Sequence, residues 1–397
     1  MKLFTLICSG AMLLAFVGCE SPKPKGDGTG SEGTKPPKAT NCPAQTSARE
    51  FPEFTAGEIV RIDRTAMEQL IAPGTRIEML AGPGSAYCSL DGSAARLPEG
   101  FTWAEGPVWV PQHRWLLFSD IHPNRVYKWS ATEGLSLFLT PSGYTGASPR
   151  GGEVGSNGLI IDPEYGRLIL CQHGDRRVAV LKNNLRQPHP PEYTTLAGRY
   201  QGKRFNSPND GCFNKNFDLY FTDPPYGLEK RMQDPAKELD FQGVYLRRHN
   251  GELVLLTREV TRPNGIALSP DEKWLYVAVS DREHTHIKRF PVKADGTLGG
   301  GAEFFNAHPF VAEEKARRGI TTWPGSCDGL KVDIHGNLFA TGPPGVMILS
   351  PEGKHIGTLR TNARTANCAW GDDGCTLYIT ADMYLLRVRT RTKGAGF

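Results

Sequence analysis

Residues 104–120 read AEGPVWVPQHRWLLFSD: an acid at Glu105, a short apolar run, the polar break PQHR, and a second apolar run. Two apolar and aromatic runs separated by a turn cluster are the signature of a β-hairpin. The pattern returns five times, at Asn157 in SNGLIID, Asn209 in PNDGCFN, Asn264 in PNGIALS, Asp328 in CDGLKVD and Asn367 in ANCAWGD. Each is followed by its own break (DPEYG, NKNF, SPDEK, DIHGN, GDDGC) and a second run (LILCQH, LYFTDP, LYVAVSD, LFATGP, LYITAD). The intervals between the six positions are 52, 52, 55, 64 and 39 residues.

A hairpin recurring at roughly 40 to 50 residues predicts an all-β chain folded as a propeller with about four strands per blade. Six repeats predict six blades. The innermost strand of each blade lines the central channel, so one repeat position converges on the axis. Here that position carries two acids and four amides, a ring of hard oxygen donors suited to one divalent cation in the channel mouth. The ring by itself does not choose among Ca²⁺, Mg²⁺, Mn²⁺ and Zn²⁺, all of which accept oxygen ligands.

The ends divide the chain further. Residues 1–19, MKLFTLICSGAMLLAFVGC, place a lysine before an apolar stretch that runs into small residues and a cysteine. That is the order of an export signal, and FVGC resembles a bacterial lipobox with Cys19 as the lipidated residue. Residues 20–47 are rich in Pro, Gly, Lys, Ser and Thr and offer almost nothing to bury, as expected of a disordered tether. Residues 48–397 then hold the propeller. The expected location is the bacterial cell envelope, with membrane attachment through the lipid, and Glu20 after the cysteine is compatible with an outer membrane.

A formal charge of +4 over 397 residues, with the basic residues scattered, gives no reason to invoke nucleic acid. Of nine cysteines, none sits in a zinc-type spacing. Cys42 with Cys88, and Cys368 with Cys375 across a turn, are the pairs that an oxidising compartment would favour. The recurring Asp120, Asp223, Asp281 and Asp382 read as turn caps, and EEKARRG in the insertion 302–323 as a short helix at the pocket rim.

The segments AEGPVWVPQHRWLLFSDIHPNRVYKW, FNSPNDGCFNKNFDLYFTDPPYGL, RPNGIALSPDEKWLYV and CDGLKVDIHGNLFATGPPGVMILSPEGKHIG resemble the gluconolactonase branch of the SMP-30/gluconolactonase/LRE-like family, from about Ile77 to Arg389. The resemblance implies a six-bladed propeller, a divalent ion in the channel mouth, with Ca²⁺ the leading expectation, and hydrolysis of sugar lactones. It places Glu105, Asn264 and Asp328 as metal ligands and Asn209 at the same mouth, on metal or substrate. It also gives His173, in CQHG, a position beside substrate, and Asn157 is expected there too. The substrate arginine of animal members has no secure counterpart in Lys203 or Arg204.

A lactone is a reactive ester, and its opening requires a polarised carbonyl, an activated water and a stabilised oxyanion. Asp328 is the expected proton acceptor, with His173 competing. The leading expectation is therefore a metal-dependent hydrolase of small sugar lactones such as glucono-1,5-lactone. The alternatives are hydrolysis of other esters at the same metal, or a lipid-anchored propeller that only binds.

Overall fold

In the computed structural model the described residues are 52–397. The expected signal segment, Cys19 and the expected tether lie outside them.

Among the described residues six sheets of four to six strands follow one another along the chain, antiparallel apart from one parallel contact between Ser85–Cys88 and Gly134–Leu139. Their inner strands are Ala104–Val110, Ser156–Ile161, Gly211–Phe213, Pro263–Leu268, Leu330–Val332 and Thr365–Gly371, which define blades one to six. The chain is a six-bladed β-propeller. Its closure uses an N-terminal strand: Ile77–Ala81 pairs with Tyr384–Arg389 and becomes the outer strand of blade six, so that blade joins both ends of the propeller. A second early strand, Glu58–Arg61, adds a fifth strand to blade five.

The anticipated breaks are hairpin turns held by their own side chains. Asp162 Oδ1 accepts from the Glu164 amide, Asn214 Oδ1 from Asn216 and Asp218, and Asp333 Oδ1 from His335 and Asn337, at 2.8–3.0 Å. Such Asx turns let a polar side chain replace the backbone partner that the reversing chain lacks. Buried apolar residues form six clusters, one between each pair of neighbouring blades, such as Val110, Leu117, Leu159 and Leu170 between blades one and two.

Hydroxyls at the ends of the second strands stitch the blades together near the axis. Ser119 Oγ donates to the Asn157 carbonyl, Thr222 Oγ1 to that of Asn264, Ser280 Oγ to Cys327 and Thr341 Oγ1 to Ala366, at 2.7–2.9 Å. Each bond runs to the following blade, at its inner strand or, for Cys327, just before it. The approach is close enough to exclude side chains: a Cβ on Gly106 would lie 2.0 Å from the Asn157 carbonyl oxygen, and one on Gly265 would lie 2.3 Å from that of Asp328. Glycine therefore follows the ring residue in blades one, two, four and five.

Two cysteine expectations resolve differently. Cys88 is disulfide-bonded, whereas its expected partner Cys42 lies outside the described residues. Cys368 and Cys375 are free thiols, which corrects the pairing drawn across their turn. Cys368 stands opposite Ile379 in the hairpin, and the last pair before the turn is Gly371 with Thr376. Cys375 is thus in the turn itself, several residues along the strand from Cys368.

The insertion does contain a helix, Pro309–Arg318, ended by Gly319 at φ 62°. The left-handed cap lets the chain turn away towards Trp323.

Candidate functional site

The ring residues meet at one mouth of the channel. Glu105, Asn157, Asn209, Asn264 and Asp328 line a single cavity of about 550 Å³. Glu105, Asn157 and Asn264 stand on inner strands, while Asn209 and Asp328 precede theirs by two residues.

Hydrogen bonds orient the amides. Asn264 donates Nδ2 to Ser280 Oγ at 2.9 Å, and that hydroxyl donates onward to the Cys327 carbonyl. Asn209 Nδ2 lies 3.4 Å from His173 Nε2. With their amide nitrogens engaged, both residues are left with Oδ1 free: among the described residues, Oδ1 of Asn157, Asn209, Asn264 and Asp328 is buried and without a partner. A buried acceptor left unmade costs about 1–3 kcal/mol, so four at one cavity floor mark a place built to meet something else.

Asn367 departs from the ring. It does not line the cavity; its Nδ2 donates to Glu105 Oε2 at 3.0 Å and approaches Asp210 Oδ2 at 3.4 Å. Asp210 in turn faces Lys331 Nζ at 3.8 Å. His173 is wholly buried behind the wall, with Nδ1 3.1 Å from Glu153 Oε2. Asn209 and Glu153 stand between it and the cavity, so His173 orients a lining amide and a lining carboxylate instead of lining the cavity itself. Taking Nε2 as the acceptor from Asn209 leaves the ring proton on Nδ1, pointing to Glu153.

Acids dominate the electrostatics. Burial pushes the Glu105 carboxyl up to about 7, with Asp210 adding to the rise. Asp328 is driven well above the carboxylate range by burial and by the neighbouring Glu105 and Glu153. Glu153 is raised by burial, yet the neighbouring His173 holds it below its ordinary value. Three buried or half-buried acids beside one another favour a positive charge among them.

The rim is of a different kind. Arg231, Arg262, Arg282 and Arg364 line it with Trp103, Tyr226 and Trp323. Arg364 lies over Trp103 at 4.7 Å, Arg282 over Trp323 and Arg231 over Tyr226, both at 5.6 Å. Trp109 instead stacks on Tyr378 in the core, and Lys203 and Arg204 form a small hairpin outside the cavity.

Asp120 and Asp223 act as caps: Asp120 Oδ1 accepts from the Thr102 and Trp103 amides, and Asp223 from those of Asn206 and Ser207. They fix the segments that lead into Glu105 and Asn209.

Sequence reasoning missed Glu153, Asp210 and the rim arginines. Asp210 had a signal: it occupies the repeat position that is glycine in four other blades.

Residues 103–382 match the SMP-30/Gluconolactonase/LRE-like region. The chain belongs to that family. Among family relatives, it is 39% identical over 296 residues to the gluconolactonase of Zymomonas mobilis, covering 74% of this chain and 80% of that one. The solved structure of a Xanthomonas campestris gluconolactonase superposes with a TM-score of 0.67 at 25% identity, over 87% of this chain and 98% of that one. A calcium-binding regucalcin from Agrobacterium tumefaciens shares the fold, with a TM-score of 0.53 at 15% identity over 75% and 92% of the two chains.

Proposed function

We propose that the protein is a hydrolase of small lactones, sugar-derived lactones such as glucono-1,5-lactone in the first place, working with a divalent cation at the cavity floor. The observation that carries the reading is the set of four unpartnered Oδ1 atoms beside Glu105. Likeness to gluconolactonases supports the substrate class.

The donor set fits a hard cation: Glu105, Asn209, Asn264 and Asp328 offer carboxylate and amide oxygens in one place. Two carboxylates would offset a dication's charge, and Ca²⁺ is the leading choice. When bound, such an ion supplies Lewis-acid polarisation of a carbonyl and stabilisation of developing negative charge.

The chain's own groups supply the rest. Asp328, with Oδ1 unpartnered, takes the proton of the water that adds to the lactone carbonyl carbon. As the ring C–O bond breaks, that proton passes to the departing alkoxide, giving the hydroxy acid. Asn157 Oδ1 is placed to accept from a substrate hydroxyl, and His173 acts through Asn209 and Glu153. Trp103, Tyr226 and Trp323 offer faces on which a sugar ring stacks. We place this activity at the cell envelope, held there through Cys19.

The test is proton release from glucono-1,5-lactone by the full-length protein, with Ca²⁺, with other dications and after chelation. Turnover should require a cation and fall at least about 100-fold in Asp328→Asn, which keeps the shape and removes the base. Tight cation binding without turnover of this or a panel of other lactones would overturn the reading in favour of a binding protein.

A further inference from the structure

A second group of ligand-type side chains sits on the edge of blade four, apart from the channel floor. His284 lies in the loop after Trp274–Val279, His286 opens the strand His286–Pro291, and Glu303 is on the outer strand Ala302–Asn306. Their ligand atoms all fall within 4.8 Å of one another. His284 Nε2 is 2.6 Å from Glu303 Oε2, and the two imidazoles are 4.5 Å apart between centroids.

Sequence and register explain the convergence. His284 lies in the loop two residues before His286, and its ring rests 4.5 Å from that of His286 on the side of the sheet to which His286 points. Glu303 stands opposite Lys288, which shares that side, and a register shift lies between Ile287 and Lys288. His286 Nδ1 meets the His284 carbonyl at 2.9 Å. Donation there keeps the lone pair on Nε2, the arrangement by which a backbone carbonyl orients a metal-binding imidazole. A fourth candidate stands near: the His308 ring is 6.4 Å from that of His284, and its Nδ1 is buried with no partner.

We propose that His284, His286 and Glu303 form a site for an imidazole-preferring transition cation, Zn²⁺ being the leading choice, separate from the oxygen-lined floor. Two imidazoles and one carboxylate suit such ions, whereas the channel residues offer only oxygens. Ligand atoms around tetrahedral zinc are separated by about 3.3 Å. His284 and Glu303 are exposed and His286 half-exposed, so small rotamer shifts bring them to that spacing.

The site is wired to the cavity. Thr285, between the two histidines, accepts the Cys327 amide on Oγ1 at 2.7 Å, and Cys327 precedes Asp328. Arg282, in the same loop, lines the rim. A cation here braces the loop that positions both.

The test is Zn²⁺ titration of the full-length protein, without a histidine tag and in excess Ca²⁺, by calorimetry. One equivalent should bind and raise the melting temperature. Affinity should fall at least about tenfold in His284→Ala and in His286→Ala, and Glu105→Gln should leave it unchanged. Cu²⁺ bound in place of Zn²⁺ should show hyperfine coupling to two nitrogens by electron paramagnetic resonance. Zn²⁺ uptake that survives both histidine substitutions, or that Ca²⁺ or Glu105→Gln abolishes, would overturn the assignment. Unfolding curves of the variants separate lost ligands from lost fold.

Discussion

Asn367 donates its side-chain amide to Glu105 Oε2 across 3.0 Å, joining the inner strand of the last blade to that of the first. The bond crosses the seam at which the ring of blades closes. It fixes the one glutamate of the cavity floor and leaves the other Glu105 oxygen for the cavity.

Replacing Asn367 with Leu keeps the branched heavy-atom skeleton, though not the volume, and removes the donor. Glu105 Oε2 and Asp210 then lose a shared partner, at a cost of about 1–3 kcal/mol. Cation affinity should fall about 10- to 100-fold, as for other groups that orient a ligand. Calorimetric titration checks this; unchanged affinity would show that Glu105 needs no brace.

Gly265→Ala probes the packing of inner strands. The new methyl would sit 2.3 Å from the Asp328 carbonyl oxygen, which is backbone and cannot swing away. Blades four and five must separate, so stability should drop by about 1–3 kcal/mol or more, and cation binding should weaken with the displacement of Asp328. Gly300→Ala, with nothing within 4 Å of the added carbon, is the control and should be nearly neutral. Urea unfolding of both variants gives the comparison.

The cation-free protein should grow less stable as pH rises from 5 to 8. Burial, with Asp210 nearby, lifts Glu105 from 4.5 to about 7 in the folded state. The folded protein then keeps a proton that the unfolded chain gives up. The stabilisation is complete below the unfolded value and is lost as pH rises through about 7. Its size is on the order of 3 kcal/mol. Glu105→Gln removes this proton and eases the neighbouring Asp328, so the chelated variant should lose most of the pH dependence. Cation uptake should also release more protons at pH 6 than at pH 8.5, because a ligand must be deprotonated to bind. A wild-type stability that tracks the variant's across this range would refute the assignment.

The blades and the floor were readable because both follow a period. Hairpins repeat, and Glu105, Asn157, Asn209, Asn264 and Asp328 fall at one position of the repeat, which the fold brings to the axis. The rim was not readable in that way. Glu153, Arg231 and Trp323 come from connections between or beyond strands, where no periodicity says which way a side chain faces. Asn367 obeys the repeat in sequence but faces Glu105, lying against Gly329, whose missing Cβ makes room for it: a Cβ there would lie 1.9 Å from the Asn367 side chain. The pairing of Cys368 with Cys375 failed on register, which closeness in sequence does not supply.

The work of His173 is separable from that of a catalytic base by two substitutions. Its Nε2 lies 3.4 Å from Asn209 Nδ2, which the neutral Nδ1–H tautomer would accept from, its Nδ1 faces Glu153, and it is wholly buried. Glutamine at this position offers a carbonyl to Asn209 and an amide proton to Glu153, so His173→Gln should keep kcat/KM within several-fold of wild type. His173→Leu meets neither need and should lose about 10- to 100-fold, through misplaced Asn209 and weaker cation binding. Neither change should move the pH at which kcat/KM rises if, as proposed above, the proton acceptor is Asp328. Equal damage from both substitutions, or loss of the pH dependence in either, would return His173 to the role of base.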